Sequence, residues 1–375
     1  MNLTMEPYQY KTRNGKRYRV AYRTPDNKQH NKGGFATKGE ARAWYRRKMV
    51  EIENHGFSDN SHVTFEEVAK RWLDDKKRSV AGSTYKKYET ECKKHLLPAL
   101  GDKLIKDIGI TKCQELVYQW SDEFKEYNKL VNDAASIFDL GIRSKIIYDN
   151  PFRQVVRPKK KNSKKIRSFT ETEFNKFQTA LREHYGTTNY KAFAFLYILS
   201  HTGLRKGELL ALTWNDIDFT KRFLHIRKAI TRDIDNHLII GKTKNEYSVR
   251  DVPIGEQTAK VLKKWRLKQR EELQFFNINS LKPGQLVFTN QQGGILSPSK
   301  PGKWLNIIEE KYDLPLYVSP HGLRHTYASL LINDGVSVNK VAAVLGHSDA
   351  SMTIKIYNDL HPVEDNSMGN IIENL

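Results

Sequence analysis

Six side chains that could together transfer a phosphoryl group follow one another along the second half of the chain. They are Arg205, Lys242, His321, Arg324, His347 and Tyr357. A phenol is a poor nucleophile at neutral pH, because its ordinary pKa is about 10. Cations that favour the phenolate, or a base that takes its proton, would make it usable. Arginine and lysine neutralise phosphate oxygens, and proton donors assist the leaving oxygen. The set predicts metal-free attack on a phosphodiester through a covalent phosphotyrosine.

Two helix starts are predicted to position the arginines. A buried helix from Asn189 should end at Thr202-Gly203, with Gly203 as a left-handed cap. A new helix then begins near Arg205 and carries Glu208 one turn on, on the same face. For the helix that carries Arg324, Ser319 is the predicted N-cap and Pro320 the first helical residue, so His321 lies in the first turn. Free backbone N–H groups in that turn favour an anion.

The second predicted helix should carry its polar and apolar residues on separate sides. His321, Arg324 and His325 cluster on one side. The core face would be formed by Leu323, Tyr327, Leu330 and Leu331. An ordinary capped amphipathic helix would look the same. A metal site at His321 and His325 is a third interpretation, which the intervening arginine and the lack of a nearby carboxylate disfavour.

The remaining candidates have ordinary explanations as well. Lys242 follows a strand in what should be a hairpin turn, where most lysines are simply solvated, and Lys244 is its rival. His347 follows Leu-Gly, and its role could be limited to capping a helix. Tyr357 could be one more tyrosine packed in a core. Arg205 and Glu208 could form a surface ion pair worth about 0.3–0.5 kcal/mol.

The motifs resemble those of the tyrosine recombinases, in particular the integrases of phages and integrative conjugative elements. Arg-x-x-Glu after Thr-Gly, His-x-x-Arg-His, and Leu-Gly-His ten positions before a tyrosine carry the resemblance. It implies that the scissile phosphate is surrounded by Arg205, Lys242, His321, Arg324 and His347. It also implies that Tyr357 is the nucleophile and Glu208 an accessory residue. A 3′-phosphotyrosine stores the bond energy, so neither ATP, another cofactor nor a divalent metal is required.

Composition favours a polyanionic partner. The 375 residues include 63 Lys+Arg against 43 Asp+Glu, a net charge of +20, which suits nucleic acid or an anionic membrane. The membrane is disfavoured, since the longest apolar run, residues 192–199, is far shorter than the ~20 residues that span a bilayer. The N-terminus has no apolar signal segment. Two cysteines without ligand spacing suit a reducing compartment. We expect a cytoplasmic protein, associated with the nucleoid when bound to DNA.

The predicted fold is multidomain and mainly α with small β-sheets. Residues 1–57 are predicted to form a three-stranded sheet and a helix, and residues 63–157 a set of helices, one of which runs from Ser83 to near Pro98. Residues 158–167 are predicted to form a basic linker, and residues 168–375 a mixed α+β domain. The resemblance makes these an arm-type DNA-binding domain, a core-binding domain, a linker and the catalytic domain. The residues expected to contact DNA are Arg17, Arg19, Arg23, Lys159, Lys160 and Lys161.

The resemblance implies an integrase that integrates or excises a mobile element. Its partners would be double-stranded attachment sites of core and arm type, on which four copies act as a homotetramer. A directionality factor and a host DNA-bending protein are compatible with this. Two alternatives stay open: a type IB topoisomerase-like nicking-closing enzyme and a non-catalytic DNA-binding repressor. The repressor would not explain six chemical residues in the correct order.

Overall fold

The computed structural model of the protein describes residues 6–13, 15–25, 27–55, 62–159, 167–243, 246–282, 284–315, 318–351 and 353–354. The chain forms two compact units, residues 1–161 and 162–375. Among the described helices, none has the length and apolar character needed to cross a membrane.

The N-terminal segment forms the predicted three-stranded sheet and helix. Strands β1 (Tyr8–Thr12), β2 (Gly15–Arg23) and β3 (Gln29–Phe35) make an antiparallel sheet in that order, followed by α1 (Lys38–His55). Side chains of a strand alternate between its two faces, but burial in β2 does not alternate. Val20, Ala21 and Tyr22 are all buried, whereas Arg23 is exposed.

Helices fill the rest of the first unit. They are α2 (Phe65–Ser79), α3 (Gly82–Glu91), α4 (Leu97–Leu100), α5 (Ile110–Glu123) and α6 (Tyr127–Arg143). Helix α2 begins with a capping box, in which Thr64 and Glu67 bond each other's backbone N–H groups. Apolar faces of these helices enclose one core around Phe65, Trp72 and Phe138.

The helix predicted from Ser83 to near Pro98 runs from Gly82 to Leu100, within two residues of the prediction at its end. It is interrupted by an unpredicted π-helical turn, Cys92–Leu96, which joins α3 to α4. Within that turn the Leu97 N–H bonds the carbonyl of Cys92, five residues back. Proline lacks an N–H and normally interrupts a helix. Here the altered hydrogen-bond register precedes Pro98, and the chain stays helical to Leu100.

The second unit packs helices around a small sheet and a hairpin. Its helices are α7 (Glu171–Tyr185), α8 (Tyr190–Thr202), α9 (Lys206–Ala211), α10 (Glu256–Phe275), α11 (Lys300–Lys311), α12 (Pro320–Asn333) and α13 (Val338–Leu345). One sheet has the order β4 (Ile217–Asp218), β5 (Phe223–Ile226), β8 (Arg250–Pro253), and β6 (Lys228–Arg232) pairs with β7 (Leu238–Lys242). Helix α8 is buried almost all round and contacts α7, α10 and α12, so it is the centre on which the other elements are placed.

Candidate active site

The turn between α8 and α9 places Arg205. Gly203 has a φ of 60° and caps α8, as predicted. A Cβ at this position would lie 2.5 Å from Cδ1 of Tyr327 and 2.7 Å from Cδ2 of Leu345, so only glycine fits. Arg205 is the N-cap of α9, and its backbone N–H donates to Oε2 of Glu208 at 2.9 Å. The glycine turn therefore fixes where the arginine leaves the core.

Glu208 then orients the Arg205 side chain. Its Oε1 accepts from Nη1 of Arg205 at 2.8 Å, and the carboxylate is only 2% exposed, against 35% for the arginine side chain. Arg205 Nη1 also lies 3.3 Å from Oγ of Ser248. The pair is thus a buried carboxylate holding a partly accessible guanidinium, which differs from a solvated surface ion pair.

Arg324 is buried in α12. The helix begins as predicted, with Oγ of Ser319 accepting from the Gly322 N–H at 3.1 Å and proline at the first position. Arg324 is 1% exposed, and its Nη1 donates to the carbonyl of Gly203 at 2.8 Å. Its Nε has no hydrogen-bond partner among the described residues.

The predicted division of α12 into a polar side and a core face is only partly correct. Leu323 is buried, but Leu330 and Leu331 are half-buried, whereas Arg324 and His325 are buried. Arg324 and His325 are therefore less exposed to solvent than part of the apolar face. The reason is that α12 packs against three helices, α8, α11 and α13.

Arg250, at the start of β8, is a member of the site that sequence reasoning missed. Its Nη2 donates to Oε2 of Glu208 at 2.9 Å and its Nη1 to Oε1 at 3.2 Å. Both side chains are nearly inaccessible, with 7% exposed for Arg250 and 2% for Glu208. Forty-two residues separate the two in sequence. The sequence offered one signal, the Ser-x-Arg pattern that ends at Arg250. It helped to predict a strand and favoured Lys242 over Lys244 as the catalytic lysine, but it did not indicate that Arg250 contacts Glu208.

Three arginines contact three consecutive carbonyls at the end of α13. Arg250 Nε donates to Val344 at 2.5 Å, Arg324 Nη2 to Leu345 at 2.7 Å and Arg205 Nη2 to Gly346 at 3.1 Å. The carbonyls at a helix C-terminus lack partners within the helix and carry the negative end of its dipole. The end of α13 therefore gathers the three cations immediately before His347.

His347 lies next to this cluster. Gly346 is in the left-handed conformation and ends α13, and the Nδ1 of His347 lies 2.8 Å from Oγ1 of the buried Thr353. Burial, followed by the charges of Arg324 and Arg205, lowers the pKa of His347 to about 4. The imidazole is therefore neutral at pH 7 in the DNA-free protein.

His321 is more open. Its side chain is exposed, yet the surrounding protein withdraws part of the ring from water. This desolvation, followed by the charges of Arg324 and Arg205, lowers its pKa below the ordinary value. Its ring meets the ring of His325 edge-on, with centroids 4.7 Å apart. Burial first, and then the neighbouring cations, thus favour the neutral form of both His321 and His347.

The charges within the cluster oppose one another. Burial, then the positive charge of Arg205, lowers the pKa of Arg324 to about 9. For Glu208, burial alone would raise the pKa, but hydrogen bonds and charge from Arg250 and Arg205 lower it instead. One carboxylate among three guanidinium groups leaves an excess of positive charge, which suits an anionic ligand.

Two predicted site residues are described little or not at all. The backbone of Lys242 is the last residue of β7 and pairs with Lys228. The β6–β7 hairpin turns at residues 233–237, and within the described ranges β7 does not pair with β8. The prediction that Lys242 lies in a hairpin turn is therefore wrong. Its side chain lies outside the described part of the chain, as do Lys244 and Tyr357.

The residues expected to contact DNA outside the catalytic unit are only partly described. Arg23 is exposed, Arg17 and Arg19 are half-buried, and the guanidinium of Arg19 lies 4.6 Å from the ring centre of Tyr10. Lys159 is exposed, while Lys160 and Lys161 lie outside the described residues.

One group of possible metal ligands occurs in the described part of the chain, at the β6–β7 turn. Asp233, Asp235 and His237 have ligand atoms within 4.8 Å of one another. Oδ1 of Asp233 accepts the backbone N–H groups of Asp235 and His237. This is a common arrangement for an aspartate that closes a turn, and it gives the group a structural explanation.

Comparisons with known proteins identify the family of this chain. The phage integrase family matches residues 167–363, and the N-terminal SAM-like domain of phage integrases matches residues 64–121. A XerC-like tyrosine recombinase of Caldanaerobacter subterraneus subsp. tengcongensis is 31% identical over 349 residues, covering 87% of each chain. The ICEBs1 integrase of Bacillus subtilis is 28% identical, covering 67% of this chain and 66% of its own.

Solved structures show the same fold. The Tn1549 transposon integrase, in complex with a circular intermediate DNA, has a TM-score of 0.69 at 21% identity and covers 83% of this chain and 99% of its own. A lambda integrase dimer bound to a core site has a TM-score of 0.59 at 18% identity and covers 98% and 99%. The family match over more than half of the chain and the 31% identical relative show that this chain belongs to the phage integrase family, as a tyrosine recombinase that acts on DNA.

Proposed function

We propose that this recombinase cuts DNA by attack of Tyr357 on a backbone phosphate held by Arg205 and Arg324. The observation that carries the proposal is the meeting of these two guanidinium groups, from different helices, at the adjacent carbonyls of Gly346 and Leu345. Arginine donors in a planar fork match the oxygens of a phosphate. His321 and His347 lie close enough for both arginines to lower their pKa.

The charge of the cluster supports phosphoryl transfer. Three guanidinium groups and the Glu208 carboxylate leave two positive charges in a largely water-excluded site. A diester carries one negative charge, and a second develops on its oxygens as the nucleophile adds. Fixed cations are most effective where charge grows toward the transition state. The site therefore favours the pentavalent phosphorus over the bound diester.

The proposed step forms one bond and breaks one. Oη of Tyr357 bonds to phosphorus, the bond from phosphorus to the 5′ oxygen breaks, and the Lys242 ammonium gives that oxygen a proton. The tyrosine's own proton passes to a neutral histidine, His347 or His321, because a neutral imidazole can accept it. Tyr357 is three positions after the described Ile354, so its Cα can lie at most about 11 Å from that of Ile354. A free 5′ hydroxyl of a partner strand then reverses the step.

We assign the remaining parts of the chain by the same family logic. Residues 1–57 would read arm-type sites, 63–157 would clamp the core site opposite the catalytic domain, and 158–167 would link the two along the phosphates. Four copies would act on two duplexes to integrate or excise an element. The protein would work in the cytoplasm of a bacterial host, on its nucleoid.

A suicide substrate, whose nicked strand diffuses away after cleavage, tests the nucleophile. Tyr357→Phe removes only the hydroxyl, so DNA affinity should hardly change while SDS-resistant protein–DNA adducts disappear. Tyr312→Phe, in the same unit, is the matched control and should form adducts normally. A Tyr357→Phe protein that still forms them would disprove the assignment. Exchange of strands between two duplexes would then separate recombination from simple nicking and closing.

A substrate with a sulfur leaving group tests whether Lys242 is the proton donor. A 5′-bridging phosphorothiolate needs no proton to leave, because a thiolate is far less basic than an alkoxide. Lys242→Ala should cleave the ordinary diester slowly and the phosphorothiolate at close to the normal rate. Lys244→Ala should cleave both normally. The opposite pattern would move the proton donor to Lys244.

Chelation tests the metal-free mechanism. Cleavage should proceed in excess EDTA, because the proposed charge clamps are arginines. Complete inhibition by EDTA that is relieved by Mg²⁺ would contradict the mechanism.

A further inference from the structure

We propose that Arg250 is a positioning residue for the phosphate site, acting through Glu208 on Arg205 and through the end of α13 on His347. The inference rests on the proposed function, since it takes Arg205 as a phosphate ligand and His347 as part of the site.

Arg250 is poorly placed to bind phosphate itself. Its side chain is 7% exposed, against 35% for that of Arg205. Its Nε, Nη1 and Nη2 atoms all donate within the protein, to Val344, to both oxygens of Glu208 and to the carbonyl of Ser248. Four of the five N–H groups of the guanidinium are therefore used. Binding a phosphate would break bonds that are already made away from bulk water.

The first route runs through Glu208. This carboxylate is shared between two arginines, with Arg250 on both oxygens and Arg205 on Oε1. Without Arg250, the whole charge of a buried carboxylate would fall on Arg205. The Arg205 guanidinium would then be held more tightly in the ion pair and would be less available to a phosphate. Arg250 thus sets how much of the charge of Arg205 faces the DNA.

The second route runs through the end of α13. Arg250 donates to Val344, three residues before His347. A Cβ added to Gly346 would lie 3.1 Å from both Cδ and Nη1 of Arg250 and 2.9 Å from the carbonyl of Tyr247. The backbone that carries His347 therefore passes tightly over the Arg250 side chain. Removing that side chain would leave the Val344 carbonyl without this donor and loosen the support beneath His347.

Two substitutions separate geometry from charge. Arg250→Met removes the guanidinium and keeps much of the packing, whereas Arg250→Lys keeps the charge but cannot bond both oxygens of Glu208 and Val344 together. We expect Arg250→Met to cleave a suicide substrate on the order of 10² more slowly in single turnover, with a DNA dissociation constant within about threefold of wild type. Arg250→Lys should recover part of the rate. Arg266→Met, whose guanidinium stacks on Trp214 in the same unit, is the control and should cleave normally.

A double-mutant cycle tests the route through Glu208. If Arg250 acts through that carboxylate, Glu208→Gln and Arg250→Met should not multiply their rate losses, and the double variant should cleave about as fast as the slower single variant. Fully multiplicative losses would overturn this route. The conservative Arg250→Lys decides the matter if Arg250→Met does not fold. A folded Arg250→Lys that cleaves at the wild-type rate would overturn the proposal.

Failure of the proposed function would look different. If Tyr357→Phe formed covalent adducts, Tyr357 would be ruled out as the nucleophile, independently of the result for Arg250. If Tyr357→Phe is inactive while Arg250→Met cleaves at the wild-type rate, the chemistry stands and only the positioning role of Arg250 is lost.

Discussion

The surroundings of His347 favour its neutral form. Burial of the imidazole, followed by the charges of Arg324 and Arg205, lowers its pKa to about 4. A base whose pKa is lower in the folded protein binds its proton more readily in the unfolded chain. Between pH 6.5 and about 4 the unfolded chain therefore takes up a proton that the folded protein does not. In this window the free energy of unfolding rises with pH, and acid destabilises the fold.

His347→Gln should remove that part of the pH dependence. The wild-type protein should lose at most about 3 kcal/mol from this residue between pH 6.5 and pH 4, since each pKa unit corresponds to 1.36 kcal/mol. Urea unfolding at several pH values measures it, and His321→Gln, at a more exposed residue, should have a smaller effect. Equal slopes for wild type and His347→Gln would show that the folded imidazole titrates normally.

Sequence reasoning found the residues of the cluster that belong to short motifs and missed the one that does not. Arg205 and Glu208 are three residues apart, and Ser319-Pro320 marks the start of α12, so local spacing predicts their elements. The partners of Arg250 lie 42 and 94 residues away. Only the tertiary fold brings them together. Likewise, the burial of Arg324 depends on three neighbouring helices and not on the periodicity of its own.

Among the helices and strands, the caps of α8 and α12 and the capping box of α2 were predictable, because each depends on a few adjacent residues. The π-helical turn before Pro98 was not, because such a turn has no simple sequence signature. The sequence predicted Lys242 in a hairpin turn because it did not show which strands pair. In the described structure β8 pairs with β5 and β7 pairs with β6, a topology that the residues around Lys242 do not determine.

Gly203→Ala should damage both stability and cleavage. The added Cβ would lie 2.5 Å from Tyr327 in a left-handed backbone. Overpacking costs about 1–3 kcal/mol and the left-handed conformation about 1–2 kcal/mol more. Gly302→Ala, in α11 with no atom within 4 Å of the new Cβ, is the control and should stabilise the protein by up to about 1 kcal/mol. Chemical denaturation measures both, and equal stabilities of the two variants would refute the steric argument.

The N-terminal sheet is expected to add salt-sensitive DNA contacts. Replacing Arg17, Arg19 and Arg23 together by glutamine should flatten the plot of log affinity against log salt by up to about 2.7 on full attachment-site DNA, because each phosphate contact contributes about 0.9. On DNA that carries only the core site the slope should not change. An unchanged slope on the full site would mean that this sheet is not the arm reader.

Along the whole chain, the boundary between the two compact units falls between residues 161 and 162. This boundary falls within a segment, 157–167, in which seven of eleven residues are basic. Limited trypsin digestion should therefore cut first in this segment and release two resistant fragments. Core-site DNA should slow that cut if the lysines lie along phosphates. A first cut within either unit would place the boundary of independent folding elsewhere.

The containment of the arginine cluster within one unit has a consequence for how such proteins diversify. Every described member of the cluster lies between Arg205 and His347, in the unit of residues 162–375. Selection for a new insertion target and selection for efficient cleavage can therefore act on separate stretches of one gene. If the first 161 residues read the target DNA, as proposed above, a lineage that exchanged them would integrate at different sites and keep the same chemistry.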